Sequence, residues 1–229
     1  MCFSAEADFV SGAVISGVGV ATLTKVEQPR ELALGALPLA LGLHQLVEAF
    51  VWLGLDGSLS PASTESAINL YLTIAWIVVP VLVPLAVMLI TPHGPRRHAM
   101  AVCVVLGAVT ATYLGTAVMR GDVTAHIAHH TIQYGGAPRY AGIATLVYVV
   151  ATCAPPLLSR QPAIVWFGTA NIGAVAIIAL VQVNGLTSVW CLWAAIASAL
   201  IYAQFVAWRR ADVTAAPTRI ADQSAGSRR

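Results

Sequence analysis

His44 and Glu48 are the side chains in this sequence best placed to do acid–base or metal chemistry inside an apolar segment. They are four residues apart, so a helix places them on one face, one turn from each other. A carboxylate in hydrocarbon is costly unless it is paired or hydrated. Imidazole and carboxylate groups are also zinc and copper ligands. The spacing therefore predicts a polar or metal site, with Glu48 as ligand or general base. The alternative is a hydrogen-bonded pair that fixes helix packing.

Further candidate ligands lie in a polar loop and near the ends of other segments. His126, His129 and His130 have i, i+3, i+4 spacing, so a short helix would bring all three to one side. The alternative for these histidines is a solvated helix at the membrane surface. Cys2 and Cys191 have three alternatives, namely metal ligation, a disulfide on an oxidising outer face, or two separate thiols.

The composition is that of a polytopic membrane protein. Of 229 residues, 58% are hydrophobic and 10% are charged, whereas a soluble domain carries about 25% charged residues. No basic run is interleaved with aromatic residues, which excludes a nucleic-acid partner. The four cysteines show no C-x-x-C spacing, which excludes a zinc ribbon.

Seven apolar segments predict an all-α integral membrane protein, a bundle of seven transmembrane helices. We expect this bundle to occupy residues 1–210 and a disordered basic cytoplasmic tail to follow over residues 211–229. Gly12, Gly17 and Gly19 give the first span a small-residue face for packing inside the bundle. The predicted spans are about 7–23, 32–55, 67–90, 99–119, 140–158, 163–183 and 187–208.

The positive charges predict the orientation. If the helices alternate, ten of the twelve Lys and Arg residues lie at one end, and Arg120 and Arg139 lie at the other. The positive-inside rule then places the N-terminus outside and the C-terminus in the cytoplasm of a plasma (inner) membrane. His44 would lie near mid-membrane and Glu48 one turn further out, in an outward-facing site towards the same end as Cys2, the loop histidines and Cys191.

Three more residues are expected to support the site. Trp52 follows Glu48 by one turn on nearly the same face and near the interface. Asn171 lies mid-span and should hydrogen-bond a neighbouring helix. Trp190 is expected to pack or to anchor the interface.

A retinal Schiff base, which a seven-span chain would suggest, is excluded. It needs a lysine in the last helix, and Lys25, in a predicted cytoplasmic loop, is the single lysine of the sequence.

Five stretches of the chain look distinctive together, namely 1–5, His44 to Glu48, 151–153, 166–171 and 188–195. On these stretches the chain resembles a bacterial family of uncharacterised multi-pass membrane proteins that begin Met-Cys-Phe-Ser. The resemblance implies a seven-helix membrane protein and brings no established activity. A weaker similarity, by helix count, is to the alkaline ceramidase-like membrane hydrolases, which bind zinc through histidines and an acidic residue. Here the histidines are arranged differently, and we expect no aspartate within the membrane.

These observations predict an outward-facing polar site that binds zinc or copper, in a metal-dependent hydrolase acting on a lipid or amphiphile. Zinc would lower the pKa of a bound water, and Glu48 would take its proton. The alternatives are a non-enzymatic sensor, a carrier of a small molecule or a proton, and a structural partner subunit.

Overall fold

The computed structural model describes residues 4–128, 131–181 and 193–211, and most of them are helical. Within this part of the chain, five helical stretches are long and apolar enough to cross a membrane. The helices are α1 (Ala5–Leu23), α2 (Leu32–Leu55), α3 (Pro61–Thr73), α4 (Val79–Ile90), α5 (Pro95–Arg120), α6 (Ala141–Leu158), α7 (Pro162–Val181) and α8 (193–211). The five stretches are α1, α2 with the short turn before it, α3 joined to α4, α5, and α6.

Each predicted apolar segment overlaps a helix, and most bounds agree to within a few residues. Long apolar segments favour helices because a helix satisfies its backbone hydrogen bonds within one segment. The predicted tail lies outside the described residues, apart from its first residue, which ends α8.

Helices α1 and α2 pack against each other through glycines. A Cβ at Gly19 would fall against the backbone of Leu39, and a Cβ at Gly42 would fall against the backbone of Ser16. Gly12 is packed in the same way against Leu46. Gly17, by contrast, has open space around its Cβ position. Small residues at such contacts let two helix backbones approach closely, which favours dispersion contacts between them.

The third long stretch is interrupted by a π-helical segment, Ile74–Val78, between α3 and α4. Pro80 is the second residue after this segment, and its ring would clash with the carbonyl four residues earlier in a regular α-helix. Tyr148 on α6 donates its hydroxyl to the Ala75 carbonyl at 3.0 Å. Gly107 on α5 leaves room for the Pro80 carbonyl. The irregular segment is therefore held by its neighbours.

Between α5 and α6 the chain forms a β-hairpin, which corrects the all-α prediction. Strands β1 (Thr124–Ala128) and β2 (Thr131–Gly135) pair antiparallel, with Ala128 opposite Thr131. Gly121, at φ 71°, ends α5 in the left-handed conformation that favours glycine. The strands are rich in Thr and Ile, which favour extended backbone. The predicted short helix was therefore wrong at His126, which lies on β1.

Two apolar clusters fill the described part of the bundle. One, towards the hairpin end, includes Val51, Trp52, Leu72 and Ile132. The other, towards the opposite end, includes Leu34, Val87, Met100, Ile164 and Phe205.

Arg209 links α8 to the α1–α2 connection at the end of the bundle opposite the hairpin. Its Nη1 lies 2.8 Å from Glu27 Oε2, its Nη2 pairs with the buried Glu31 carboxylate, and its Nε donates to the Lys25 carbonyl at 2.9 Å. The α1–α2 connection and the end of α8 therefore meet. A cavity lined by Pro92 and Gln161 adjoins the same place, so the α4–α5 and α6–α7 connections lie at this end too.

Gly19→Ala is expected to destabilise the protein by about 1–3 kcal/mol, because the added methyl group forces α1 away from α2. The matched control is Gly17→Ala on the same helix, which should be neutral or slightly stabilising, since its Cβ position is open. Thermal unfolding in detergent measures both variants. Equal melting temperatures would show that the close approach at Gly19 is not needed for stability.

Candidate functional site

Asp8, Gln45 and Glu48 form a buried polar cluster between α1 and α2. Asp8 and Glu48 are both 0% exposed, and Gln45 is 1% exposed. The Gln45 side-chain amide donates to Asp8 Oδ1, and its nitrogen lies 3.4 Å from Glu48 Oε2. The two carboxyl groups are close enough to interact electrostatically. One neutral amide thus bridges two acidic groups in the interior.

Local sequence explains why α1 begins before Asp8 and includes it. Ser4 is the N-cap of α1, and its side chain accepts a hydrogen bond from the Ala7 N–H at 3.4 Å. Asp8 therefore lies at the end of the first turn, where the helix dipole favours a carboxylate. Gly12 and Gly19 continue the same buried face one and three turns further along.

A column of three stacked rings runs beside the two carboxyl groups. The His44 and Tyr71 ring centroids are 4.1 Å apart with planes 19° apart. The Tyr71 and Tyr134 centroids are 4.6 Å apart with planes 10° apart. Since Tyr134 belongs to β2, the hairpin covers one end of the column. Trp52, 4% exposed, lies beside Asp8.

His44 Nε2 and Glu48 Oε1 are buried and have no hydrogen-bond partner among the described residues. Arg209, which pairs with Glu27 and Glu31, lies at the other end of the bundle. Buried polar atoms without partners are costly, particularly in a carboxyl group. The arrangement is therefore suited to hold a proton or another cation.

Burial raises the pKa of Tyr134 above its ordinary value, and the nearby Glu48 carboxyl group raises it further. Its hydroxyl is buried without a hydrogen-bond partner in the described residues. Tyr134 is therefore a neutral side chain over the ordinary pH range, and it contributes its ring rather than its charge.

The predicted ligands are only partly brought together. His44 and Glu48 lie in one cluster, and Trp52 lies beside it. His126 is exposed on β1, opposite the exposed Gln133, because alternate residues of a strand face opposite sides. Over the residues that the structure describes, no group of three or more His, Cys, Asp or Glu side chains could hold a metal ion. Outside the described residues lie Cys2, His129, His130, Trp190 and Cys191.

Asn171 lies elsewhere in the bundle. Its Nδ2 donates to Cys153 Sγ on α6 at 3.1 Å. It also lines a separate, mainly apolar cavity of about 220 Å³, together with Tyr148 and Trp193.

Sequence reasoning missed Asp8, Gln45 and Tyr134 as site residues. Asp8 was expected at the end of a span, and it does lie in the first turn of α1, but its complete burial was not anticipated. A signal was present, because Asp8 shares a helix face with Gly12 and Gly19, the small residues that favour close packing. Tyr134 could not be found in this way, since its position depends on how the hairpin folds back onto the bundle.

Comparison with known proteins places the chain in a family. The family model DUF6629, described as a family of unknown function, matches residues 1–217. The chain belongs to this family. No curated protein and no solved structure matches the chain significantly. Membership in DUF6629 agrees with the resemblance to an uncharacterised family and assigns no activity.

Gln45→Leu is expected to lower the unfolding free energy by about 1–3 kcal/mol, because both buried carboxyl groups lose a donor. Gln133→Leu makes the same replacement on an exposed strand position and should leave stability nearly unchanged. Denaturant titration in detergent micelles compares the two. A Gln45 variant as stable as wild type would contradict the bridging role of the amide.

Tyr134→Phe should be nearly neutral at pH 7 and protective at high pH. The pKa of Tyr134 is raised on folding, so the stabilisation of its neutral form is complete below the unfolded pKa of about 10 and is lost as pH rises towards the folded pKa. Wild type should therefore lose stability above about pH 10 more steeply than the Phe variant. Melting temperature as a function of pH tests this, and superimposable curves would refute it.

Proposed function

We propose that this DUF6629 protein is a proton-binding membrane carrier, with Glu48 and Asp8 as the proton-accepting pair. The observation that carries the proposal is the bridge from Gln45 to both fully buried carboxyl groups. Two neighbouring buried carboxylates repel each other, so binding one proton relieves both the repulsion and part of the desolvation cost. The pair thus favours the uptake of a proton.

The surroundings of the pair support proton transfer. His44, Tyr71 and Tyr134 are the other titratable side chains facing it, from α2, α3 and β2, and all can donate or accept a proton. They form a continuous stack towards the hairpin. A proton entering from that end would meet Tyr134 first and Glu48 last.

The π-helical segment in the third span favours a functional role for this part of the bundle over a purely structural one. Such segments are frequent at functional sites. Ile74–Val78 begins three residues after Tyr71. A change in the packing of α3 against α4 would therefore reach the ring stack directly.

The proposal includes seven spans, with α7 and α8 as the sixth and seventh. It puts the hairpin on the outer side and the Arg209 end in the cytoplasm. Two observations favour this arrangement. Three connections and the end of α8 lie together at one end of the bundle. That end also carries an excess of Lys and Arg residues.

The deciding experiment is proton flux into vesicles that contain the purified protein and a trapped pH-sensitive dye. Under an imposed membrane potential, wild type should acidify the lumen, and Glu48→Gln should lose most of that flux because its amide cannot ionise. The matched control is Glu65→Gln, which makes the same change at an exposed site on α3 and should keep wild-type flux. Flux in Glu48→Gln equal to wild type would overturn the proposal, as would no flux in wild type.

A metal-dependent hydrolase acting on a lipid or amphiphile is the second candidate. It is favoured by His44 Nε2 and Glu48 Oε1, which are buried without a hydrogen-bond partner among the described residues and could each offer a lone pair to a metal. A metal here would need another ligand, and Cys2, His129 and His130 are the remaining predicted ones. Metal analysis of the same vesicle preparation separates the two candidates. About one zinc or copper per chain, lost in His44→Ala, would replace the carrier proposal by the hydrolase.

A further inference from the structure

Another cavity, separate from the polar cluster, lies at the Arg209 end of the bundle. It measures about 500 Å³ and is formed by the α4–α5 turn and the α6–α7 connection. This volume falls within the range of about 300–1,000 Å³ that is usual for small-molecule sites. Its basic residues are His93, Arg96 and Arg160, and none of its lining residues is acidic. We refer to it as the Arg96–Arg160 cavity.

The Arg96 and Arg160 side chains are both exposed at this cavity, so they can reach an anion from solvent or from the membrane surface. The neighbouring Arg97 has a different role, because its Nη1 donates to the Thr91 carbonyl at 3.0 Å and holds the turn together. Two guanidinium groups facing one cavity match the geometry and charge of a phosphate group.

The backbone adds to the positive potential. Helix α5 begins at Pro95 after Gly94, which makes no side-chain capping hydrogen bond. The N–H groups of Arg96 and Arg97 in the first turn are therefore not satisfied by that cap. The N-terminus of this 26-residue helix lies at the cavity, and its dipole favours an anion there.

The position of the cavity identifies the source of the anion. The apolar helices α4 and α6 end at its edge, at Ile90 and Leu158, and Leu158 is 37% exposed. The cavity is thus level with the ends of two hydrophobic helices, where lipid headgroups lie. Basic pockets between transmembrane helices at the cytoplasmic side are suited to anionic lipid headgroups.

We propose that the Arg96–Arg160 cavity binds the phosphate headgroup of an anionic phospholipid. Arg96 and Arg160 hold the phosphate oxygens, the first turn of α5 donates backbone hydrogen bonds, and the acyl chains lie along the exposed surface beside Leu158. The lipid contacts both the α4–α5 turn and the α6–α7 connection, and so bridges two connections that are separate in sequence.

Native mass spectrometry of the full-length protein tests the proposal with added phosphatidylglycerol or phosphatidylcholine. Wild type should retain phosphatidylglycerol in preference to phosphatidylcholine. Arg96→Gln/Arg160→Gln should weaken that binding by about tenfold or more, because two charges that act near the lipid surface are lost. The matched control, Arg120→Gln/Arg139→Gln, removes the same charge from exposed positions at the hairpin end and should bind like wild type.

Each other outcome overturns the proposal. Equal retention of the two lipids would show that the cavity does not select an anionic headgroup. Unchanged phosphatidylglycerol binding in the Arg96/Arg160 variant would show that these two arginines do not bind the headgroup. A third arm adds inorganic phosphate before the lipid, and if phosphate alone stabilises wild type against heat and displaces phosphatidylglycerol at equal concentration, the ligand is free phosphate rather than a lipid.

Discussion

The close contact between α1 and α2 is the constraint on which the polar cluster depends. Gly12, Gly19 and Gly42 leave no space for a Cβ along this contact. Because the two backbones approach so closely, Asp8 is brought within hydrogen-bond reach of Gln45. A larger separation would leave a water-filled gap or an unpaired carboxyl group in an apolar bundle, and both are costly. The contacts of the buried acidic residues thus depend on the close packing of the small residues.

The helices of this protein could be predicted from the sequence, and the partners of its polar residues could not. Long apolar runs give the positions of α2, α5 and α6 to within a few residues because the bilayer leaves a chain few alternatives. The i, i+4 relation of His44 and Glu48 was also readable, since it is a property of one helix. Asp8 pairs with Gln45 across 37 positions of sequence, and that contact depends on how two helices align. Single-helix periodicity carries no information about such alignment.

The hairpin shows a different reason for failure. A spacing of three and four residues between histidines satisfies a helical pattern, yet Thr124, Ile127, Thr131 and Ile132 favour extended backbone, and Gly121 ends the preceding helix. Local signals for strand and for helix overlapped in a short polar segment. The extended conformation is favoured because it lets Ile132 pack against the apolar cluster at this end while His126 remains exposed.

The π-helical segment allows one span to serve two cores. Ile68, Tyr71 and Leu72 of α3 belong to the cluster beside the hairpin, whereas Val83, Ala86 and Val87 of α4 belong to the cluster at the opposite end. A π turn holds one residue more than an α turn, so it shifts the rotational phase of everything after it by about 100°. The two halves therefore present differently directed faces without a break in the chain. The span is one continuous helix whose two halves pack against different sets of neighbours.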